Sequence, residues 1–337
     1  VLYALAQWIG GIALHWFYRD IRVVHGERIP EYGPLLIAMN HQNALVDAML
    51  AWWVAPRDIR LTAKASLAEA PGGGLLMNAL GIIPLRRAAD ERGPADPMRN
   101  RAAFTRIATE LALGRAILIF PEGRSHNEPV VAPLKSGLAR IALHARGEGV
   151  RDLCILPIGI TFQNKAVPNT DVVVEVGEPI VMDEWPGHSA QELTDAVAER
   201  LRAVSLTGAI AIGEAVTVVR HGWPVRVAAW WGRVTHEIPI RIARRLALAK
   251  SADEGEPAMY TMTFGLGLTL LSYAIEIPLV WWILGPWVAI AFAVSLPIGA
   301  YWAAYADHPA RPPRRAPRSA TPQAGADAAA AGATDRR

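Results

Sequence analysis

Apolar residues fall into short runs along the first two-thirds of the chain, and each run gives way to a stretch that reads as helix. The runs 21–24, 35–39, 82–85, 116–120, 154–160 and 172–176 are rich in Ile, Leu and Val, the composition of buried strands. Helical windows fall at about 44–55, 66–80, 98–113, 136–146 and 190–204. This alternation predicts an α/β domain over residues 19–204, with a mixed, largely parallel sheet flanked by helices. Reactive residues of such sheets gather at strand ends and in the loops that follow.

The flanks have a different pattern. Residues 1–18 are apolar except for Gln7, Gly10, Gly11 and His15. They predict a membrane-associated helix, marginal in length for crossing a bilayer and long enough to lie against one. A secretory signal would need a basic start and a small-residue cleavage site, and neither precedes Arg19-Asp20. The chain opens on Val1 rather than Met, as expected where a natural start is missing or altered. Residues 205–260 predict only a connecting region, with a basic cluster at Arg241, Arg244, Arg245 and Lys250 and the acidic linker Asp253-Glu254-Gly255-Glu256-Pro257.

Two apolar segments, about 264–284 and 287–305, flank Gly285-Pro286 and predict a hydrophobic hairpin within 261–305. Glu276, Pro278 and Pro297 interrupt it, so a hairpin buried in protein or dipping into one leaflet is the alternative. Basic residues beyond both outer ends, including Arg311, Arg314, Arg315 and Arg318, put both ends on the cytoplasmic side. The expected location is a membrane, the bacterial inner membrane, with the α/β domain facing the cytoplasm. Residues 306–337, rich in Ala, Pro and Arg, are expected to be disordered.

Composition supports a globular domain with membrane-seeking parts: 52% of the 337 residues are hydrophobic and mean hydropathy is +0.20. The net charge of +3 suits an anionic membrane surface or phosphorylated substrates. No basic helix, zinc finger or aromatic-basic motif points to nucleic acid. The single Cys154, in the apolar run Leu153-Cys154-Ile155-Leu156, excludes a disulfide framework and a Cys-rich zinc site. The nine His form no His-x3-His or His-Glu-x-x-His set, so no metal site is expected. Gly72-Gly73-Gly74 lacks the Gly-Lys-Ser/Thr of a phosphate loop and reads as a turn before a helix.

Candidate chemistry begins at Asn40-His41-Gln42-Asn43-Ala44-Leu45-Val46-Asp47, between an apolar strand and a helix. A histidine held by a carboxylate can take the proton of an attacking hydroxyl. Alone, such a pair also arises by chance. Six helical steps of about 100° turn Asp47 away from His41, so His41 should precede the helix, with Asn43 as N-cap and Asp47 in the first turns. Further along stands Gly81-Ile82-Ile83-Pro84-Leu85-Arg86-Arg87, whose arginines could fork a phosphate or simply form a solvated charge pair. Next comes Phe120-Pro121-Glu122-Gly123-Arg124-Ser125-His126, a polar turn at a strand end with donors and acceptors for a polyol phosphate. Lys135 and the amides of the helix after it form a possible anion site. Leu156-Pro157-Ile158-Gly159-Ile160 is a strand with a proline, suited to shaping a site.

In this order the four blocks resemble those of the glycerolipid acyltransferases, the family of lysophosphatidate and glycerol-3-phosphate acyltransferases. The resemblance covers roughly residues 20–180. Gly26-Glu27-Arg28-Ile29-Pro30 and Ala63-Lys64 fit its flanks, as does the Val-rich strand that leads into Gly177-Glu178-Pro179-Ile180. Two departures stand out. Five residues rather than four separate His41 from Asp47, and Arg124 comes one position early because the usual Thr of the third block is missing. Both resemble the branch of glycerol-3-phosphate/dihydroxyacetone-phosphate acyltransferases and their bacterial relatives.

The resemblance implies acyl transfer to a glycerol phosphate in phospholipid biosynthesis. The donor would be acyl-CoA or acyl carrier protein, used as co-substrate with no other cofactor. His41 would be the base and Asp47 its partner. Arg87, Glu122, Gly123, Arg124, Ser125 and Lys135 would bind substrate, with Lys64 and Arg86 as weaker phosphate contacts. Membrane lipids are the expected surroundings. A lysophosphatidate or other lysophospholipid acceptor is the alternative within this class, and an inactive, membrane-anchored lipid-binding protein the alternative outside it.

Overall fold

The computed structural model describes residues 2–86, 100–126, 128, 130–211, 221–251 and 256–306. Helix α1 (Leu2–Phe17) leads into strand β1 (Asp20–Val24), a short 3-10 turn, β2 (Leu35–Met39) and α2 (Ala44–Val54). Then follow β3 (Ile59–Lys64), α3 (Ser66–Glu69), α4 (Gly73–Leu80), β4 (Ile83–Leu85), α5 (Arg101–Ala112) and β5 (Ala116–Ile119). The α/β part closes with α6 (Gly137–Gly147), β6 (Cys154–Phe162), β7 (Asp171–Val176), β8 (Ile180–Val181) and α7 (Ala190–Ala211). Three long helices remain: α8 (Trp223–Lys250), α9 (Pro257–Leu284) and α10 (Pro286–Tyr305).

The strands form one sheet in the order β1-β7-β6-β2-β5-β3-β4. From β6 to β4 all neighbours are parallel, while β7 runs antiparallel to β6 and carries β1 parallel to itself. Short β8 continues the antiparallel pairing further down β6, opposite Cys154 and Ile155. The predicted mixed, largely parallel sheet is therefore present, with flanking helices and two apolar helices toward the C-terminus.

Central strands are buried on both faces, which explains why β2 and β5 read as unbroken apolar runs rather than alternating ones. Leu35, Ile37 and Met39 pack on one face, with Leu118, Leu156 and residues of α1 and α2. Leu36 and Ala38 point to the other face, where Ile117, Ile119 and residues of α5, α6 and α7 enclose them. Each fully buried Leu or Ile contributes roughly 1.5–3 kcal/mol relative to exposure. The result is a three-layer arrangement whose parallel strands end together at one edge.

Several expectations need correction. Strand β3 is absent from the predicted set: Ile59-Arg60-Leu61-Thr62-Ala63-Lys64 alternates apolar and polar residues instead of forming an apolar run. The helix expected over 66–80 is two helices, because Ala70-Pro71-Gly72 intervenes and Gly72 takes a left-handed φ of 76°. Residues 205–260, which predict no element, contain the end of α7 and the 28-residue α8. Pro239 lies inside α8, an interior position that disfavours helix from sequence. The expected tail at 306–337 lies outside the described residues except for Ala306.

Helix α1 packs inward through Leu14 and Phe17, and its Tyr3 hydroxyl donates to the Ile59 carbonyl (3.0 Å) and accepts from the Ile59 N–H (2.9 Å). Its outer side shows Leu5, Trp8 and Ile12. Helices α9 and α10 are long and apolar enough to cross a membrane. The start of α9 is anchored to the α/β body by buried Ala258 and Met262, which join the core formed by α1, α2 and one sheet face.

Candidate active site

Strands β2 and β5 are parallel neighbours, so the loops that leave their C-terminal ends meet. One carries His41, the other Phe120 to His126. Asp47 lies in the first turn of α2 and is wholly buried. Its Oδ2 accepts from His41 Nδ1 (2.9 Å) and from the backbone N–H groups of Gln42 (2.8 Å) and Asn43 (2.7 Å). The carboxylate thus caps the positive end of α2 and holds the imidazole with the same oxygen. Asn43 occupies the N-cap position, yet its side chain makes no capping bond, and Asp47 does that work instead. Ala44 adopts a φ of 43°, a left-handed turn that bends the chain from strand end into helix.

His41 is buried, with its ring stacked on Phe120 (centroids 3.9 Å apart, planes at 14°). With Nδ1–H given to Asp47, Nε2 carries the lone pair. The two loops are locked to each other in both directions. The His41 N–H donates to Glu122 Oε1 (2.9 Å), and the His126 N–H donates to the His41 carbonyl (3.1 Å). Glu122 Oε2 pairs with His126 Nε2 and accepts from the Ala132 N–H (3.2 Å). Burial raises the Glu122 pKa above its ordinary 4.5, opposed by the His41 N–H, the nearby His126 and the Ala132 N–H.

Four residues absent from the sequence-based site hold this arrangement. The Lys165 ammonium donates to the carbonyls of Gln42 (2.9 Å) and His126 (3.1 Å), joining the two loops. Asn40 clasps β6, donating to the Ile160 carbonyl (2.9 Å) and accepting from the Ile160 N–H (2.6 Å). The Asn43 amide donates to the Tyr18 hydroxyl (2.8 Å) and the Lys165 carbonyl (3.1 Å). Burial pushes the Tyr18 phenol well above its ordinary 10, which keeps it a neutral hydrogen-bonding group. Lys165 lies 124 positions from His41 (165 − 41), so no local spacing could have flagged it.

The other expected residues are spread around this pair. Gly123 turns at a φ of 78°, with the Lys135 stem passing close by. Lys135 and Arg124 are exposed, Ser125 is partly buried, and the Lys135 N–H donates to the Pro121 carbonyl (2.8 Å). Lys64 ends β3, and Arg86 follows β4 with its backbone clasped by the Asn100 amide. Arg87 lies outside the described residues. A cavity of about 390 Å³ opens beside β4, lined in part by Ala65, Ile83, Pro84, Arg86, Asn100 and Arg106. Arg106, on α5, is a further cation that sequence reasoning did not single out. Among the described residues no cluster of His, Cys, Asp and Glu has a metal-holding arrangement.

Residues 20–161 match the family model described as Acyltransferase. This segment is therefore similar to the Acyltransferase family. Among curated relatives of the acyltransferase segment, glycerol-3-phosphate O-acyltransferase 2 of Saccharomyces cerevisiae is 32% identical over 90 residues, 26% of this chain and 12% of that protein. Glycerol-3-phosphate O-acyltransferase 1 of the same yeast is 22% identical, over 61% of this chain and 40% of the relative. The 1-acyl-sn-glycerol-3-phosphate acyltransferase of Limnanthes alba is 25% identical over 187 residues, 52% of this chain and 60% of the relative. The chain thus spans at most 60% of the length of these relatives. A solved structure, the 1-acyl-sn-glycerophosphate (LPA) acyltransferase PlsC of Thermotoga maritima, is similar with a TM-score of 0.48 and 21% identity, over 63% of this chain and 80% of that one.

Proposed function

We propose that this protein is a membrane-bound O-acyltransferase that moves a fatty acyl group from acyl-CoA or acyl carrier protein to a hydroxyl of a glycerol phosphate. The acceptor is glycerol-3-phosphate or dihydroxyacetone phosphate. The observation that carries this reading is the buried His41–Asp47 pair (2.9 Å) within a segment that matches the Acyltransferase family model. His41 Nε2 takes the proton of the acceptor hydroxyl as its oxygen attacks the thioester carbonyl. Asp47 stabilises the imidazolium that forms. Collapse of the tetrahedral intermediate breaks the C–S bond, and the departing thiolate recovers the proton from His41. Cys154 stands at the start of β6, away from the strand ends where His41 lies, so it is no nucleophile for this step, and in this reading the transfer is direct with no acyl-enzyme.

Glu122 holds the His41 backbone, and Gly123 lets the chain turn tightly beneath the acceptor. Arg124 and Lys135 beside that turn, with Arg87, supply cations for the acceptor phosphate. Arg86 and Arg106 at the cavity supply them for a second phosphate, that of the donor's pantetheine. The outer ridge of α1 and the α9–α10 hairpin keep the site at the bilayer, where acyl chains partition. In this reading the protein sits in a bacterial inner membrane with this site on the cytoplasmic side, as the basic residues flanking the hairpin suggest.

A lysophosphatidate acceptor is the second reading, favoured by the similarity to the Limnanthes alba enzyme. An assay of purified membranes with one labelled acyl donor and a panel of acceptors separates the two. Label in a monoacylglycerol phosphate formed from glycerol-3-phosphate supports the first; label only in a diacyl product refutes it.

A further inference from the structure

Helix α8 presents one face inward and another outward, and the two are chemically distinct. The inward face carries Ala229, Gly232, His236, Pro239, Ala243 and Ala247, spaced three and four apart. It packs tightly. A Cβ on Gly232 would run into the Gly299 carbonyl of α10, so the two backbones touch there. His236 Nε2 meets the Tyr273 hydroxyl of α9 (2.6 Å), and the Trp231 indole N–H donates to the Ser295 hydroxyl of α10 (3.1 Å). Helix α8 is therefore structurally part of the apolar hairpin rather than a linker before it.

The outward face of its first half carries Trp223, Val227, Trp230, Val234 and Ile238, again at steps of three and four. Trp223 is 76% exposed, Trp230 61% and Ile238 72%. At about 100° per residue, Arg226, Arg233 and Arg244 fall together along one margin of this stripe, with Glu237 beside them paired to Arg241, and Arg241 and Arg245 continue the line of the stripe beyond Ile238. An apolar stripe with two tryptophans, edged on one side by arginines, has the composition of a helix in contact with lipid near the headgroups. The helices that α8 packs against also expose apolar side chains, Leu270, Ile275 and Leu279 on α9 and Ile290 and Val294 on α10.

We propose that α8 is a third membrane-contacting helix. Its Trp223–Ile238 stripe faces acyl chains, and Arg226, Arg233 and Arg244 reach the anionic headgroups. This rests on the membrane reading of the α9–α10 hairpin made above and extends it to a segment whose sequence suggested only a connection. A protein surface, including a second copy of this chain, is disfavoured because α8 is packed along two helices long and apolar enough to cross a membrane, and its own outer face carries the tryptophan-and-arginine composition of a lipid-contacting helix.

The test uses the full chain with Cys154→Ala and one new cysteine labelled with the environment-sensitive dye NBD. The protein is reconstituted in phosphatidylethanolamine/phosphatidylglycerol vesicles with or without doxyl-labelled lipid. The sites are Val234→Cys on α8, Leu279→Cys on exposed α9 and Arg202→Cys on α7 as the aqueous reference. The proposal expects blue-shifted emission at position 234, quenched at least about twofold more by doxyl lipid than at position 202. Lipid contact at 279 with water contact at 234 overturns the proposal and leaves the hairpin standing. Water contact at both overturns both. Blue-shifted emission at 234 that doxyl lipid leaves unquenched shows a protein partner on the stripe and also overturns the proposal.

Discussion

Replacing Asp47 by Asn removes one charge and almost nothing else. The side chain keeps its size, and the amide oxygen can still accept from the Gln42 and Asn43 N–H groups that cap α2. The Asp47 Oδ1 position has no partner, so the new NH2 displaces no existing bond there but stays a buried, unpaired donor. That should cost about 1–3 kcal/mol in thermal stability. In the proposed mechanism, what disappears is the negative charge beside the imidazolium that forms in the transition state. With an N–O distance of 2.9 Å the charge centres lie about 4 Å apart, and at an effective dielectric constant of about 20 their attraction is about 4 kcal/mol. At 1.36 kcal/mol per tenfold, that is about a thousandfold in kcat. The assay is thiol release from an acyl-CoA in detergent micelles, with glycerol-3-phosphate as acceptor and thermal unfolding followed alongside. The expected result is a kcat lower by about three orders of magnitude with KM little changed. A variant that folds normally and keeps kcat within tenfold of the natural protein would refute the role given to the carboxylate.

Other substitutions probe the supports of the site. Lys165→Met removes two charge-assisted bonds that join the His41 and His126 loops, each worth roughly 1.5–3 kcal/mol. It should lower kcat by at least about tenfold with KM little changed; an unchanged kcat shows that the loops hold their geometry without it. Gly123→Ala places a side chain at a φ of 78° and should cost about 1–2 kcal/mol in thermal stability, since the nearest Lys135 carbon is 3.5 Å from the new Cβ and strain rather than collision is the penalty. An unchanged melting temperature would contradict that strain.

Glu175 is buried, its Oε2 has no partner, and burial raises its pKa above the ordinary 4.5 against the pull of His25 and Arg28. A carboxyl raised on folding makes its ionised form unfavourable in the folded state, a cost present at neutral pH and absent below the unfolded value. Glu175→Gln should therefore raise the melting temperature at neutral pH. The gain should fade as pH drops through the raised folded value toward 4.5. A loss of stability at neutral pH would reverse the sign of this argument.

The parts of the fold legible in the sequence were those where both faces of a segment are buried or where helical spacing is uninterrupted. Strands β2, β5, β6 and β7 announce themselves as apolar runs because no face of them is wet. Strand β3 pairs on both sides yet alternates, since Arg60 pairs with Glu110 of α5 and the Thr62 hydroxyl donates to the Leu118 carbonyl of β5. Helix α8 was hidden by Pro239 and by arginines spaced among tryptophans, a pattern that becomes coherent only once α9 and α10 cover its small-residue face. At the site, the His41 and Asp47 side chains are six positions apart, so the backbone turn between them could be inferred from helix geometry. Lys165, His126 and Asn40 act across long separations, through a backbone carbonyl or a neighbouring strand. Nothing in local spacing reveals a carbonyl's partner, which is why these supports appear only when the strands are assembled.

The most direct test of the account is transfer of a labelled acyl group from acyl-CoA to glycerol-3-phosphate by the natural protein and by His41→Ala, both reconstituted in vesicles and checked for equal thermal unfolding. The account predicts labelled monoacylglycerol phosphate from the natural protein and none above background from the variant. Substantial product from a folded His41→Ala protein would contradict it.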